Sequence, residues 1–151
     1  MRIQLDDLSG ADIQALLAEH LAQMHSQSPP ESVHALDLRG LKQADVSFWT
    51  GWIDGRLAAC GALKTLTPEH GEIKSMRTSA AFRGQGAGRL MLMHIAEQAR
   101  ARHMQRLSLE TGSQDAFLPA RALYASFGFV ACGPFGDYVD DLHSVFMTLP
   151  L

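Results

Sequence analysis

A glycine-rich turn lies between a segment with strand character and a segment with helix character. The turn, Arg-Gly-Gln-Gly-Ala-Gly, spans residues 83–88; the strand-like run is 71–78 and the helical run is 89–102. Glycines permit positive φ and close approach of a ligand to the backbone, and the helix that follows offers unpaired N–H groups and the positive end of its dipole. This arrangement predicts a binding site for a phosphate or pyrophosphate group.

Two common phosphate-binding motifs do not fit this turn. A Walker loop ends in Gly-Lys-Ser/Thr, but Arg89 and Leu90 occupy its last two places. A dinucleotide fingerprint requires a third glycine where this chain has Arg89, and it requires a buried strand where this strand is polar. The turn therefore argues against nucleoside triphosphate hydrolysis and against a Rossmann site, but by itself it leaves the ligand open.

The order of the predicted elements constrains the sheet. A strand, a helix and a strand follow one another between residues 72 and 111, and such a crossover requires a parallel strand pair. Before them, residues 46–53 and 56–66 read as two strands of a hairpin, since Asp54-Gly55 between them is a strong turn signal. The pattern predicts a mixed α/β (α+β) fold, with a mostly antiparallel sheet, one parallel pair and flanking helices.

The rest of the chain continues this alternation of strands and helices. Ser9 and Asp12 resemble a capping box that starts an amphipathic helix through Met24, and Pro29-Pro30 with Gly40 predict an irregular loop over residues 26–42. The remaining predicted elements are strands at 2–6, 105–111, 129–131 and 143–149, and a helix from Pro119 to Phe127 that ends at Gly128.

Composition narrows the functional classes. The 151 residues predict a single domain over residues 1–151. A net charge of −3 gives no electrostatic footprint for nucleic acid, and no apolar run reaches the roughly 18 residues of a membrane span, so we expect a cytoplasmic protein that binds neither. Cys60 and Cys132 are expected as buried thiols. The seven histidines lack metal-site spacing, so no metal is predicted.

Two motifs together point to a family. Arg83, Gly86 and Gly88 fill the spacing Arg-x-x-Gly-x-Gly, and Tyr124 begins a Tyr-x-x-x-Gly-Phe sequence that ends at Phe129. In this order they resemble the acyl-coenzyme A motif and the closing motif of the GNAT superfamily of N-acetyltransferases, over residues 51–129. The resemblance implies the GNAT fold, acetyl-CoA as cosubstrate, and transfer of an acetyl group to a primary amine by direct attack in a ternary complex.

The resemblance also implies residue roles. Glu72 would be the general base, directly or through a water molecule, although a solvent-facing carboxylate paired with Lys74 is the alternative. Tyr124 would be the general acid that protonates the thiolate, with a core position as the alternative. The cosubstrate would contact a strand end and the turn, through Met76, Arg77, Thr78, Arg83, Gly84, Gln85, Gly86, Ala87, Gly88 and Arg89. Many family members place an asparagine seven positions before the tyrosine, where this chain has Phe117; Glu110, Thr111 and Gly112 are the candidates to replace that contact.

The acceptor is less constrained. Family substrates enter near the segments 28–37 and 136–141, which carry carboxylates suited to a cationic amine. The predicted contacts are Glu31, His34, Asp37 and Asp137, and a small-molecule amine is favoured. Acetylation of a protein lysine or amino terminus, and a silent acyl-CoA-binding sensor, remain alternatives. The resemblance is compatible with a homodimer through the last strands, although nothing in residues 143–151 requires one.

Overall fold

A computed structural model describes all 151 residues, Met1–Leu151, as one sheet with helices on both faces. The strands are β1 Arg2–Leu5, β2 Val46–Ile53, β3 Arg56–Thr67, β4 His70–Thr78, β5 Arg106–Gly112, β6 Val130–Cys132 and β7 Ser144–Pro150. The helices are α1 Ala11–Gln27, α2 Leu38–Leu41, α3 Ala87–Ala101 and α4 Leu118–Phe127. None of the helices combines the length and apolar character that crossing a membrane would require.

The seven strands form a single sheet in the order β1-β2-β3-β4-β5-β7-β6. Every neighbouring pair is antiparallel except β4 and β5, which are parallel and are linked by the crossover through α3. The hairpin between β2 and β3 turns at Asp54 and Gly55, whose φ values of 49° and 74° are both positive, as a type I′ turn requires. The predicted fold class, with its one parallel pair, is confirmed.

Strand β4 is irregular at its centre, and this irregularity opens the sheet. The register between β3 and β4 shifts between Cys60 and Ala62, and Ser75 on the bulged side has a φ of 54°. Beyond the bulge β4 does not pair with β5: their ladder joins only His70–Glu72 to Arg106–Ser108. A bulge bends its strand and ends regular pairing. The C-terminal parts of β4 and β5 therefore face each other across a gap.

Apolar clusters on the two faces of the sheet hold the strands in place. One cluster packs α3 and α4 against the sheet through residues such as Leu92, Ile95 and Leu107, each with 0% exposure. The other packs α1 and α2 through residues such as Ile13 and Leu41. Because successive strand residues point to opposite faces, β3 supplies both clusters.

The structure corrects three details of the predicted elements. The capping box at Ser9 and Asp12 is wrong: Gly10 is the N-cap of α1 without a side-chain cap, and the Ser9 hydroxyl donates to Asp7 Oδ1 at 2.6 Å instead. The irregular loop contains helix α2, because Asp37 caps its N-terminus and accepts from the Gly40 N–H. Helix α3 begins two residues earlier than predicted, directly after Gly86.

The cysteine prediction is half right. Cys60 is fully buried, and burial raises the pKa of its thiol to about 12, so it is a poor nucleophile. Cys132 is a free thiol that is only partly buried, because it lies on the short strand β6 at the edge of the sheet. Neither thiol lines the cavity described below.

Gly112 at the end of β5 tests how tightly this region is packed. A Cβ at this position would overlap the Phe117 ring and lie 2.7 Å from Gln114 Oε1. We expect Gly112→Ala to destabilise the protein by about 1–3 kcal/mol through overpacking, which lowers Tm by roughly 3–10 °C. Gly133→Ala is the matched control, since nothing lies within 4 Å of its Cβ position. Equal Tm values for the two variants in thermal unfolding would contradict this packing.

Candidate active site

A cavity of about 790 Å³ occupies the gap between β4 and β5. Its walls are β4 from Glu72 to Thr78, the end of β5, and parts of α1, α3 and α4, together with the segment that follows α1. The predicted turn, the predicted acid and the predicted base all line it. No group of three or more His, Cys, Asp or Glu side chains is arranged to hold a metal ion.

The glycine-rich turn forms one end of this cavity. Gly84 and Gly86 have φ values of 75° and 86°, a region that favours glycine, although the space around both Cβ positions is open. The first bond of α3 runs from the Leu90 N–H to the Gly86 carbonyl at 3.0 Å, and the N-cap offers no side chain. The N–H groups of the first turn are therefore free to bind an anion.

Side chains around the turn have distinct surroundings. Arg83 is exposed, and Arg89 donates to Ser126 Oγ at 2.7 Å while both line the cavity. Gln85 does not line it, because its amide donates to the Ala81 carbonyl at 3.1 Å. A Cβ on Gly88 would lie 3.3 Å from Thr78 Oγ1, so a side chain there would press β4 and α3 apart. Ala87 is buried at the base of the turn.

The predicted strand-end contacts Met76, Arg77 and Thr78 all line the cavity. The Arg77 guanidinium, however, reaches α1, where it forms an ion pair with Glu19 Oε1 at 3.0 Å and a hydrogen bond with Gln23. This side chain fixes α1 against β4. The backbone of the strand end is thus the part of these residues best placed to meet a ligand.

Glu72 is buried rather than solvent-facing, with 3% of its surface exposed. Its Oε2 accepts hydrogen bonds from Lys74 Nζ at 3.2 Å and from the Tyr138 hydroxyl at 2.5 Å. Lys74 Nζ also donates to the Tyr138 oxygen at 3.0 Å, which closes a triangle of three polar groups. The alternative of a surface carboxylate is wrong, although its predicted pairing with Lys74 is present.

Tyr124 on α4 lines the cavity and is 8% exposed. It lies on the face of the sheet opposite to the one covered by α1. Its ring packs edge-on against Phe129, with centroids 5.8 Å apart, so the residue also belongs to the core. Burial is the cause that raises the pKa of its phenol above the ordinary value. The hydroxyl therefore keeps its proton at neutral pH, as a proton donor must.

Tyr138 was not singled out from the sequence, although it lies in the loop predicted to meet the acceptor. Its ring packs among His34, Phe135 and Phe146, with centroids 4.9 Å, 5.1 Å and 5.5 Å away. Burial raises the pKa of its phenol, and the neighbouring charge of Glu72 raises it further. No motif marks such a residue, because its contact with Glu72 depends on folding across 66 positions of chain.

Glu110 was considered from the sequence only as a substitute contact for the cosubstrate. It lies on β5 and lines the cavity, and burial raises the pKa of its carboxyl to about 7. The nearby Lys74 opposes this shift, whereas the negative charges of Glu72 and Asp141 add to it. The only hint in the sequence is that Glu110 is the one carboxylate of strand β5.

Of the four predicted acceptor contacts, only His34 lines the cavity. Glu31, Asp37 and Asp137 are exposed and lie outside the lining, and Asp37 is engaged as the cap of α2. The two loops that carry these residues are joined: Ser32 Oγ donates to Asp141 Oδ2 at 2.5 Å, and this bond holds the pKa of Asp141 below its usual value. They form a roof over the Glu72 end of the cavity.

Comparisons with known proteins identify a family and related sequences. The sequence matches the acetyltransferase (GNAT) family over residues 13–129. It is 53% identical to the uncharacterized N-acetyltransferase YsnE of Bacillus subtilis (strain 168) over the whole of both chains. It is 40% identical to an IAA acetyltransferase of Azospirillum brasilense, covering 82% of this chain and 80% of the relative.

A likeness to solved structures extends to the fold. A GNAT family acetyltransferase from Elizabethkingia anophelis, solved with acetyl-CoA bound, superposes with a TM-score of 0.70 and covers 99% of this chain and 97% of that one. The two sequences are 15% identical, so this likeness concerns the arrangement of the backbone alone.

Proposed function

The chain belongs to the acetyltransferase (GNAT) family and is an N-acetyltransferase, and we propose that it transfers the acetyl group of acetyl-CoA to a primary amine of a small molecule. One observation carries this proposal: a single cavity joins the glycine-rich turn to Glu72 and Tyr124. A pyrophosphate group at the turn and an amine beside Glu72 would thus share one continuous space.

The residues present fit the cosubstrate. Free N–H groups at the start of α3, with Arg83 and Arg89 beside them, suit a pyrophosphate. The edge of β4 that faces the gap, including Met76 and Thr78, has backbone groups without a partner in β5. We propose that an extended pantetheine arm takes the place of the missing strand there, because amide groups in the arm can pair with such an edge.

The proposed chemistry assigns two of its proton transfers to side chains. An amine with a pKa of about 10.4 is protonated at neutral pH, and removing that proton costs roughly 4–5 kcal/mol of free energy. Glu72 would take it, directly or through a water molecule. The nitrogen would then attack the thioester carbonyl carbon; the N–C bond forms, the C–S bond breaks, and the Tyr124 hydroxyl donates its proton to the departing sulfur. The second proton that the nitrogen loses in becoming an amide leaves to solvent, from which the Tyr124 phenolate is reprotonated. No covalent acetyl-enzyme is needed.

The roof over the Glu72 end supports a small acceptor. The bond from Ser32 to Asp141 and the contact of His34 with Tyr138 close this end of the cavity above the carboxylate. A long peptide groove would require these loops to separate. His34 is the proposed acceptor contact inside the cavity, and Glu31, Asp37 and Asp137 are proposed to attract a cationic amine from outside it.

Free-thiol release from acetyl-CoA tests the proposal directly. Purified protein is assayed with polyamines, amino acids, aminoglycosides and short peptides, and each acceptor is also incubated without protein. We expect release that depends on a small amine and on protein concentration. If only peptides support release, the acceptor class is wrong. If no acceptor does so while coenzyme A still raises Tm, the protein binds acyl-CoA without turnover and the proposal fails.

A further inference from the structure

The amine end of the cavity contains two carboxylates in different surroundings. Glu72 Oε2 is held by two donors, Lys74 and Tyr138. A proton on either oxygen of Glu72 would remove its ion pair with Lys74, and on Oε2 it would also displace one of the two donors. Glu72 is therefore better suited to stay a carboxylate and to hold its neighbours than to accept and release a proton in every cycle.

Glu110 has the opposite surroundings. It lies across the gap from β4, on the strand that pairs with β7, and its register partner is Phe146. Its carboxyl group lines the cavity and is partly buried, and no hydrogen bond or ion pair joins it to another residue. A half-buried carboxylate without a donor is free to bind a water molecule or a proton.

We infer that Glu110 is the final acceptor of the amine proton, which reaches it through a water molecule in the gap between β4 and β5. This inference rests on the proposed function, keeps the water-relayed route given above, and replaces Glu72 by Glu110 as the group on which the proton ends. The amine N–H bond breaks toward the water, the water passes one of its own protons to a Glu110 oxygen, and Glu110 returns it to solvent after product leaves. Glu72 keeps its hydrogen bonds to Lys74 and Tyr138 throughout and anchors both.

The charges around Glu110 suit this role. Lys74 and Glu72 face it from β4, Asp141 and Tyr138 from the loop before β7, and His34 lies beside Tyr138. Burial, with Glu72 and Asp141, outweighs Lys74 and raises the pKa of Glu110 to about 7. A general base with a pKa near the working pH is ionised often enough to take a proton and is basic enough to hold it.

The test compares kcat/KM of wild type with Glu110→Gln between pH 5.5 and 8.5, using the same acceptor. In the ratio of the wild-type value to the variant value, the ionisation of the amine itself cancels. We expect this ratio to rise by about tenfold per pH unit below pH ~7 and to level off above it. A ratio that does not change with pH would overturn the inference.

Glu72→Gln distinguishes the two carboxylates. The charge of Glu72 is one cause that raises the pKa of Glu110. The Glu72→Gln variant should therefore keep the limb of the pH profile in which kcat/KM rises with pH, but this limb should shift to lower pH. Loss of the limb in Glu72→Gln and its retention in Glu110→Gln would return the role of base to Glu72. Glu97→Gln, an exposed change on α3, is the matched control and should leave the pH profile unchanged.

A second readout does not depend on turnover. Carbon-13 NMR of the glutamate carboxyl groups, recorded without acceptor, should contain a resonance that titrates near pH 7 and is absent in Glu110→Gln. A titration near 7 that persists in this variant would overturn the inference. Because this measurement needs no acceptor, it separates failure of the Glu110 role from failure of the proposed acetyl transfer, which thiol release reports.

Discussion

Replacing Tyr124 by phenylalanine should lower kcat by about 100-fold while hardly changing the affinity for coenzyme A. Donation of a proton in the transition state accelerates a reaction by about 10²–10⁴-fold. We expect the lower end of this range, because a thiolate whose conjugate acid has a pKa near 8.5 is already a good leaving group. The hydroxyl is available because burial holds the pKa of Tyr124 above its ordinary value. Steady-state kinetics and the Kd for coenzyme A provide the two measurements.

The fold offers a control for this substitution. Phenylalanine keeps the edge-on contact with Phe129, so Tm should stay within a few degrees of wild type. Tyr138→Phe removes a hydroxyl from the same cavity but leaves the proton donor in place, and we expect a smaller loss of kcat. An unchanged kcat in Tyr124→Phe would assign the residue to the core alone.

Lys74→Met should reduce the free energy of unfolding by about 3 kcal/mol. The side chains of Lys74 and Glu72 are 8% and 4% exposed, and removing one partner of a buried pair leaves the other charge uncompensated. Methionine has an unbranched side chain of similar length to that of lysine, so few packing contacts are lost. For a domain of this size Tm should fall by roughly 6–12 °C in thermal unfolding.

A double-mutant cycle separates charge from packing. Lys74→Met combined with Glu72→Gln removes both charges and should regain most of the lost stability, because a neutral pair carries a much smaller desolvation penalty. Lys42→Met, at the exposed C-cap that follows α2, should change stability by no more than about 0.5 kcal/mol. A double variant as unstable as Lys74→Met would mean that the ion pair is not the cause.

The fold was largely predictable because its signals are local. Asp54-Gly55 encodes a hairpin turn within two residues, and the strand, turn and helix around Gly86 require a crossover and hence the parallel pair. The failures also have local causes. Ser9 bonds Asp7 rather than capping α1, and Asp37 stabilises a short helix in a segment that glycine and prolines marked as irregular. Such competition between nearby hydrogen bonds is not visible in residue type or spacing.

The site was predictable only where motifs encode it. The turn and Tyr124 line the same cavity, as the resemblance implied, but their roles remain predictions. The Glu72–Lys74 pairing was predictable from their spacing, but the bonds of Tyr138 to both and the surroundings of Glu110 were not, since they join residues far apart in the chain. Acceptor contacts were predicted at the loop carboxylates because the resemblance places substrate entry there, whereas the one carboxylate in the cavity without a hydrogen-bond partner, Glu110, lies on a strand.

The short ladder between β4 and β5 is a weak connection between the two halves of the sheet. Three residue pairs connect these strands, compared with seven between β5 and β7. Segments joined by few backbone bonds open independently of the rest, so the two halves of the sheet should behave as separate units in amide hydrogen exchange. A ligand lying in the gap would bond to both halves and so link them. Its binding should therefore slow amide hydrogen exchange even on strands that it does not contact.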